Sequence, residues 1–577
     1  MTRATPFRDT IGKRDNPVFL KNVQMLRFLD PALHGLVLRC DLSQRIEVAE
    51  SMDDSGQPRA LQISRTTESD RRTLRLPLPP FTLPTLENSS ETAACLIGVG
   101  NGIDLLLLFG QNGRDRALQG LKKSPLYVVE PDLHAFTLLL HLHDLRPLFA
   151  SERLLLFVGE GCEAAFLQAL QPHDRTLPGR VISQKGYDAL HNDLLQRLTA
   201  LDTAQSQRVA LLKERLEHHY ASEQRQREIA DAFHRRSRPI RVLLISSRFT
   251  SFLQYCADAL AHGFQQLGCR AELIMESDDL SEITMLFLLE KIEALDPDLI
   301  ISLDHFRWEF GQLPGTIPFA TWIQDLLPQM FADQGHVLGR HDHIFSLSSA
   351  WIERGVLSGP LFGDRPIHPL PVGVDTRTVR PLPEVEKDID CLYVSNLPAP
   401  HLTFDPLRTG EDLGGSLFAM EASLIDAGLL TLAQLHHLYH HLLNELEQHH
   451  PLEAFAMAHD PERKQRFARR MLSEAAITHQ DACLPLFISH AHTRMDWELF
   501  RRFKVAPILH LITNGIAVHI HGSNWQAIPG ASGHCHGVVQ NGEPLNRITA
   551  RSRICLHNSG MSLHMRALEI LGAGGFL

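Results

Sequence analysis

The 577-residue chain has no C-x-x-C pair: its nine cysteines, Cys40, Cys95, Cys162, Cys256, Cys269, Cys391, Cys483, Cys535 and Cys555, stand singly, several within apolar strand-like runs. That scatter speaks against a disulfide framework and reads as reduced core residues. A basic excess is also missing. With 56 Lys+Arg against 67 Asp+Glu the formal charge is −11, and nonspecific nucleic-acid binding needs a basic face to displace counterions. No window approaches the roughly eighteen uninterrupted apolar residues of a spanning helix, and no apolar run follows the basic residues at the start. The expectation is a cytoplasmic protein with no transmembrane segment and no nucleic-acid partner.

What is present is a 44% apolar composition, ordinary for a globular protein, in a chain long enough for three or four cores. Histidine is abundant, at 33 residues. His436, His437, His440 and His441 form i,i+4 pairs on a helix without the glutamate of an H-E-x-x-H site. Three H-x-H pairs follow, His490 and His492, His519 and His521, His534 and His536; on a strand, alternate residues share a face, so His519 and His521 are expected to converge. No metal site is expected.

Residues 1–90 read as a small α+β region: a helix from Pro17 to Leu29, then period-two runs at Gly35–Cys40 and Ala60–Arg65 that predict an antiparallel sheet. Residues 91–186 change pattern. A buried strand Ala94–Ile97, the turn Gly98-Val-Gly-Asn-Gly102, a helix, a strand Leu126–Val129 closed by Glu130, and a strand Leu154–Val158 make a Rossmann-like unit. Glu130 is placed to accept from ribose hydroxyls, the geometry of S-adenosylmethionine or dinucleotide sites, although Gly102 to Glu130 is longer than the roughly twenty residues that fingerprint expects. Residues 187–238 read as a helical spacer that holds this unit apart from the rest of the chain.

A fresh α/β domain is expected over 239–385, with buried strands near Arg241–Ile245, Ala271–Ile274, Asp298–Ser302, Pro318–Trp322, His343–Ser346 and His368–Pro371. Strands alternating with helices at this spacing require a mostly parallel sheet covered on both faces. A second strand set starts at Asp390, within 386–577, interrupted over about 400–505 by a helical insertion. The last eighteen residues, from Gly560, read as a loop that enters a helix near His564, carries Arg566 and Glu569 on its first turns, and leaves through Gly574 and Gly575. Free N–H groups and the positive dipole end of a helix start suit a phosphate, and a carboxylate there suits vicinal hydroxyls.

Together with Ile516-Ala-Val-His-Ile-His-Gly-Ser-Asn-Trp525, that segment resembles the nucleotide-sugar half of GT-B glycosyltransferases, most closely the CgeB-like (spore maturation protein-like) branch, on Gly522, Trp525, Arg566, Glu569, Gly574 and Gly575. The likeness spans 240–577; residues 93–170 also resemble the Rossmann-like N-terminal region of Maf-type flagellin glycosylation factors. The resemblance implies an α/β multidomain fold, two Rossmann-like GT-B halves preceded by an additional Rossmann-like domain and the helical spacer, with a ligand cleft at the carboxyl ends of the strands. It implies transfer of a sugar from a nucleoside-diphosphate sugar to a protein, glycan or other acceptor, without a metal. Arg566 would stabilise the leaving diphosphate with backbone N–H groups near Met561 and Ser562, Glu569 would take the ribose, Trp525 would border base or sugar, and Gly522, Asn558 and His564 would complete the donor site. Asp325, then Asp304, at strand ends of the first half, are the candidate proton acceptors. Two departures stand out: Met561 occupies the first position of the E-x7-E pair, and the chain stops where another strand should begin, which leads to the expectation of a truncated carboxyl domain. A methyltransferase-like function at Gly98–Glu130 and a noncatalytic nucleotide-binding or assembly role are the alternatives.

Overall fold

The computed structural model describes residues 11–52, 58–66, 71–77, 93–108, 125–149, 153–325, 337–397, 425–438, 461–486, 504–558 and 565–577, with short gaps inside these spans. It is an α/β protein of several sheets in two compact units, Met1–Leu370 and Pro371–Leu577.

In the first unit, helix α1 (Pro17–Leu29) starts where the Asn16 side chain accepts from the N–H groups of Val18 and Phe19, with proline at the first helical turn. Helix α2 (Pro31–Arg39) begins the same way on Asp30. It replaces the strand predicted at Gly35–Cys40. The Asp-Pro start signal overrides the short alternation, and the i,i+4 pair Leu33 and Val37 turns inward while Leu36 and Leu38 stay exposed. Strands β1 (Ile46–Met52), β2 (Pro58–Thr66) and β3 (Arg71–Pro77) form the expected antiparallel sheet.

Next come β4 (Ala94–Ile97), β5 (Leu126–Glu130), helix α3 (Leu133–Leu142), β6 (Leu154–Val158), helix α4 (Cys162–Ala169) and β7 (Arg180–Ser183), giving a parallel sheet of order β6-β5-β4-β7. Leu96 and Val128 face α1 and α3, whereas Cys95, Ile97, Tyr127 and Val129 face Phe166 of α4. Strand β7, only four half-buried residues, carries too short a pattern to be read in advance.

Helices α5 (Asp188–Ala221) and α6 (Glu223–Arg235) occupy the predicted spacer, but they do not hold anything apart. Leu194 and Leu198 of α5 pack into the core of the four-stranded sheet, and Leu212, Leu216 and Tyr220 of the same helix pack into the core of the next one. Direct bonds add to this. Arg175 pairs with Asp278, donating from Nη1 at 2.8 Å, the N–H of Glu282 donates to the carbonyl of Asp174 at 2.7 Å, and Ser277 donates to the Asp174 carboxylate at 2.9 Å. The expectation of a separate Rossmann-like body is corrected: both sheets lie in one compact unit, and the two apolar stretches of the 34-residue helix are covered one by each sheet.

The second parallel sheet has six strands in the order β13-β12-β11-β10-β8-β9: β8 (Arg241–Ile245), β9 (Arg270–Ile274), β10 (Leu299–Leu303), β11 (Phe319–Ile323), β12 (Asp342–Ser346) and β13 (Ile367–Pro369), with helices α7 (Leu253–Gln266) and α8 (Met285–Leu295). At the amino ends of β8 and β10, the fully buried Asp298 carboxylate receives Arg225 at 2.8 Å and Arg238 at 2.6 Å. Against the raising effect of burial, its arginine partners and the N–H of Arg241 hold its pKa at about 2, so α6 is locked to the sheet by a satisfied charge rather than by apolar contact alone.

The second unit contains β14 (Ile389–Val394), helices α9 (Pro461–Glu474) and α10 (Gln480–Leu486), β15 (Val518–His521), helix α11 (Glu543–Ala550), β16 (Ser552–Leu556) and helix α12 (Met565–Gly572). The strands form a parallel sheet of order β15-β14-β16. Residues before β14 belong here too: Arg380 and Asn546 exchange two hydrogen bonds, at 3.2 and 2.9 Å. Most of the insertion expected at 400–505 lies outside the described residues; its described part includes α9 and α10. Among the described residues no helix is long and apolar enough to cross a membrane.

Candidate functional site

Parallel strands deliver their carboxyl ends, and the loops that continue from them, to one edge of a sheet. In the second unit that edge is closed tightly. The N–H of Ser395, just past β14, donates to the carbonyl of His521 at 2.9 Å, and Gly522 has φ +147°, so that a Cβ there would collide with the carbonyl oxygen of Ser395. Only glycine allows this approach. The Asn396 side chain then accepts from the N–H of Ser523 at 3.0 Å, and Asn524 donates to the carbonyl of Leu397 at 2.8 Å.

Trp525 is the first sequence-predicted contact to move. Its ring is completely buried, its indole N–H donates to the Ser395 carbonyl at 2.6 Å, and it meets Tyr393 edge to face at 5.6 Å. The ring pins the ends of β14 and β15 from inside and has no exposed face for a base or sugar. Tyr393 in turn donates to the Asn558 side chain at 2.7 Å, which fixes that amide just past β16.

Around this frame the polar groups gather. Arg566 and Glu569, one turn apart on α12, form an ion pair at 2.5 Å, and Glu569 is only 9% exposed. Burial raises the carboxyl's pKa and Arg566 opposes that rise. His557, between β16 and the loop before α12, is lowered by burial and then by the nearby charges of Arg566 and Lys504. Lys504 donates to the carbonyl of Asn396 at 3.1 Å, and burial pushes its pKa down to about 8. Two cations and an imidazole therefore share the carboxyl edge with a carboxylate and two amides. Lys504 and His557 escaped prediction because neither sits in a motif; a lone lysine opening an apolar helical run, Lys504-Val-Ala-Pro-Ile-Leu509, was the one signal in the sequence. Met561, Ser562 and His564 lie outside the described residues.

The acceptor candidates belong to the first unit. Asp304 follows β10 with φ +60° and is fully buried; its Oδ1 accepts from the N–H groups of Gln324 at 2.5 Å and Asp325 at 3.0 Å. Burial pushes its pKa up to about 7, against those two bonds. Asp325, just past β11, is exposed.

The glycine turn of the four-stranded sheet is filled by the protein's own side chains. A Cβ at Gly98 would meet the Tyr187 ring at 2.6 Å, and one at Gly100 would collide with Gln184. Glu130 accepts from the N–H groups of Val99 and Asp132, both at 2.8 Å, and from the Tyr187 hydroxyl at 2.7 Å. The carboxylate expected to take a ribose already holds three donors, which weighs against the methyltransferase alternative.

His519 and His521 do share a face of β15, and His536 stacks on both, with ring centroids 4.4 and 5.5 Å away. Among the described residues no group of three or more His, Cys, Asp or Glu side chains is arranged to hold a metal; His436, His440, His441, His490 and His492 lie outside them.

Comparison of the chain with protein-family models, with curated proteins and with solved structures gave no match in any of the three.

Proposed function

We propose that the chain is a glycosyltransferase of the GT-B type, similar to the CgeB-like branch, that binds a nucleoside-diphosphate sugar at the carboxyl edge of β14, β15 and β16 and passes the sugar to a protein or glycan acceptor. The observation that carries this reading is the grouping of Lys504, His557, Arg566 and Glu569 around Asn396 and Asn558. A diphosphate leaving group needs donors and positive charge as its bond to the anomeric carbon breaks. Arg566 offers a planar multi-donor guanidinium. Lys504 offers an ammonium whose burial disfavours its charge, so a phosphate beside it restores what desolvation costs. Glu569, held next to Arg566, is the acceptor for ribose hydroxyls. The charge comes from side chains, and the reading requires no metal. Of the two aspartates, Asp325 suits proton acceptance better, because it is exposed at a strand end while Asp304 is buried and tied to two N–H groups.

The test is calorimetric titration of the full chain with uridine, guanosine, cytidine and thymidine diphosphates and the matching nucleosides. Arg566→Ala should weaken the preferred diphosphate by about ten- to a hundredfold, the range of a lost charge-assisted bond, and leave the nucleoside nearly unchanged. Equal losses for both, or no diphosphate binding at all, would remove the basis of the proposal.

A further inference from the structure

In the six-stranded sheet the chain leaves β8 for the edge strand β9 and then returns past β8 to β10. Helix α7, on the outward connection, packs against the face made by Val242, Leu244, Ala271 and Ile301. Helix α8, on the return, packs against the opposite face of Leu243, Ile245, Ile274 and Ile300. Connections from neighbouring strands that depart to opposite faces leave a crevice between the carboxyl ends of those strands, here β8 and β10, where open parallel sheets bind ligands.

Four buried side chains at this place have polar atoms with no partner. They are the Ser246 hydroxyl just past β8, the Ser302 hydroxyl in β10, Oδ2 of Asp304 just past β10, and both polar atoms of the Gln324 carboxamide just past β11. Their exposures are 8%, 1%, 0% and 3%. The register sets β8, β10 and β11 side by side, and the backbone N–H of Gln324 donates to Oδ1 of Asp304; by alternation Ser302 shares the face of Ile300, while Ser246 lies on the opposite face with Leu244. A buried polar atom left unpaired loses its hydration without replacement, and native proteins hold few of them. Here five fall on three adjacent strand ends. The next residues out, His305 and Asp325, are exposed, so the group lies one residue beneath the surface.

We infer that this switch point is a binding site for a small uncharged molecule bearing several hydroxyl groups, held by the Gln324 carboxamide, Oδ2 of Asp304 and the hydroxyl of Ser246. The class comes from the inventory. An amide supplies donors and an acceptor, a serine hydroxyl supplies both, and a carboxyl whose pKa burial has brought to about 7 is able to give or take one proton near neutrality. Groups that donate and accept at once, as hydroxyls do, satisfy such a set. An anion finds no cationic side chain among the three, and a cation would have to be buried beside a carboxyl that its surroundings favour as neutral. The site lies within residues 242–324 and stands independently of the diphosphate reading.

Saturation-transfer NMR on the full chain tests it, with myo-inositol and D-glucose as neutral probes and D-glucuronate and D-glucosamine as charged ones. Transfer to a neutral probe is expected in the wild type. Gln324→Leu, which removes both amide atoms at similar volume, should weaken that binding by about tenfold or more while the melting temperature holds or rises. Asp304→Asn should keep the binding but flatten its dependence on pH between about 6 and 8. Absence of transfer from both neutral probes, the result if only ordered water satisfies these atoms, overturns the inference. So do transfer untouched by Gln324→Leu, a preference for a charged probe, and an unchanged pH dependence in Asp304→Asn. Diphosphate affinity measured on the same samples should not change in Gln324→Leu, so this site and the diphosphate site fail separately.

Discussion

Glu569 shows how much one carboxyl depends on its neighbour. It is nearly buried, and the partner visible beside it is Arg566 at 2.5 Å. If its role is to accept ribose hydroxyls, Glu569→Gln keeps shape and an acceptor oxygen but loses charge, and should weaken a ribonucleoside diphosphate by about 1–3 kcal/mol. The 2′-deoxy counterpart should suffer less. A double-mutant-style cycle over both ligands measures the coupling, and a value indistinguishable from zero would leave Glu569 as a helix residue that only neutralises Arg566. Asp304 gives a stability prediction of the opposite kind. Its folded pKa of about 7 stands above the ordinary value of 3.8, so the native state keeps a proton that the unfolded chain has lost. Its contribution is complete below about pH 4 and is lost as pH rises toward 7. Asp304→Asn keeps the oxygen that accepts from Gln324 and Asp325 and removes this loss, and should therefore be more stable than wild type above pH 7, by up to about 4 kcal/mol. Urea unfolding at pH 4.5 and 8 checks the sign: equal stability differences at both would place the carboxyl in water.

Among the elements, the histidine column on β15 behaves differently again. His519 and His521 are lowered by burial and then by His536, with Arg551 adding to both; Asp388 opposes the shift at His519, and His534 adds to it there. Below about pH 6.5 the unfolded chain takes up protons that these folded imidazoles refuse, so stability is complete above 6.5 and falls with pH beneath it. Replacing His519 and His521 together by Gln should lessen the drop in melting temperature between pH 7.5 and 5.5. A drop of wild-type size would mean that other groups set it. The same strand shows what could be read in advance. Alternation placed both histidines on one face, because that depends on backbone geometry alone. The burial of Trp525 did not, since a G-x-x-W pattern fixes the position of a ring and not the direction it faces. Apolar runs such as Val242–Ile245 and Leu299–Ile301 announced their strands, whereas β7 and β16, with two or three apolar residues each, depend on neighbours far away in sequence. At Gly35–Cys40 a two-residue period lost to a helix start signal. Lys504, His557 and the unpaired Gln324 needed the folded chain, because what distinguishes them is burial.

For the molecule as a whole, the decisive element within residues 1–370 is helix α5. Most helical stability in a folded protein comes from an apolar stripe covered by tertiary packing rather than from propensity. Its stripe is covered twice, by the four-stranded sheet at Leu194 and Leu198 and by the six-stranded sheet at Leu212, Leu216 and Tyr220. Loss of either cover leaves the other half of the helix with a frayed end, so the two sheets should open together. Leu198→Ala and Leu216→Ala, at 6% and 4% exposure, each remove a large buried side chain and should cost about 2–5 kcal/mol. The informative measurement is where that loss appears. Hydrogen exchange reports the opening free energy of each cooperative unit. If the helix joins the sheets, Leu216→Ala should lower protection in β4 and β5 as well as in β8 and β10, and Leu198→Ala should do the same from the other side. Protease cleavage between Tyr187 and Arg238 should then be slow in the wild type and faster in both variants. Protection lost only in the sheet that the substituted residue touches, with early cutting of α5 in the wild type, would make the helix a spacer between two independent bodies.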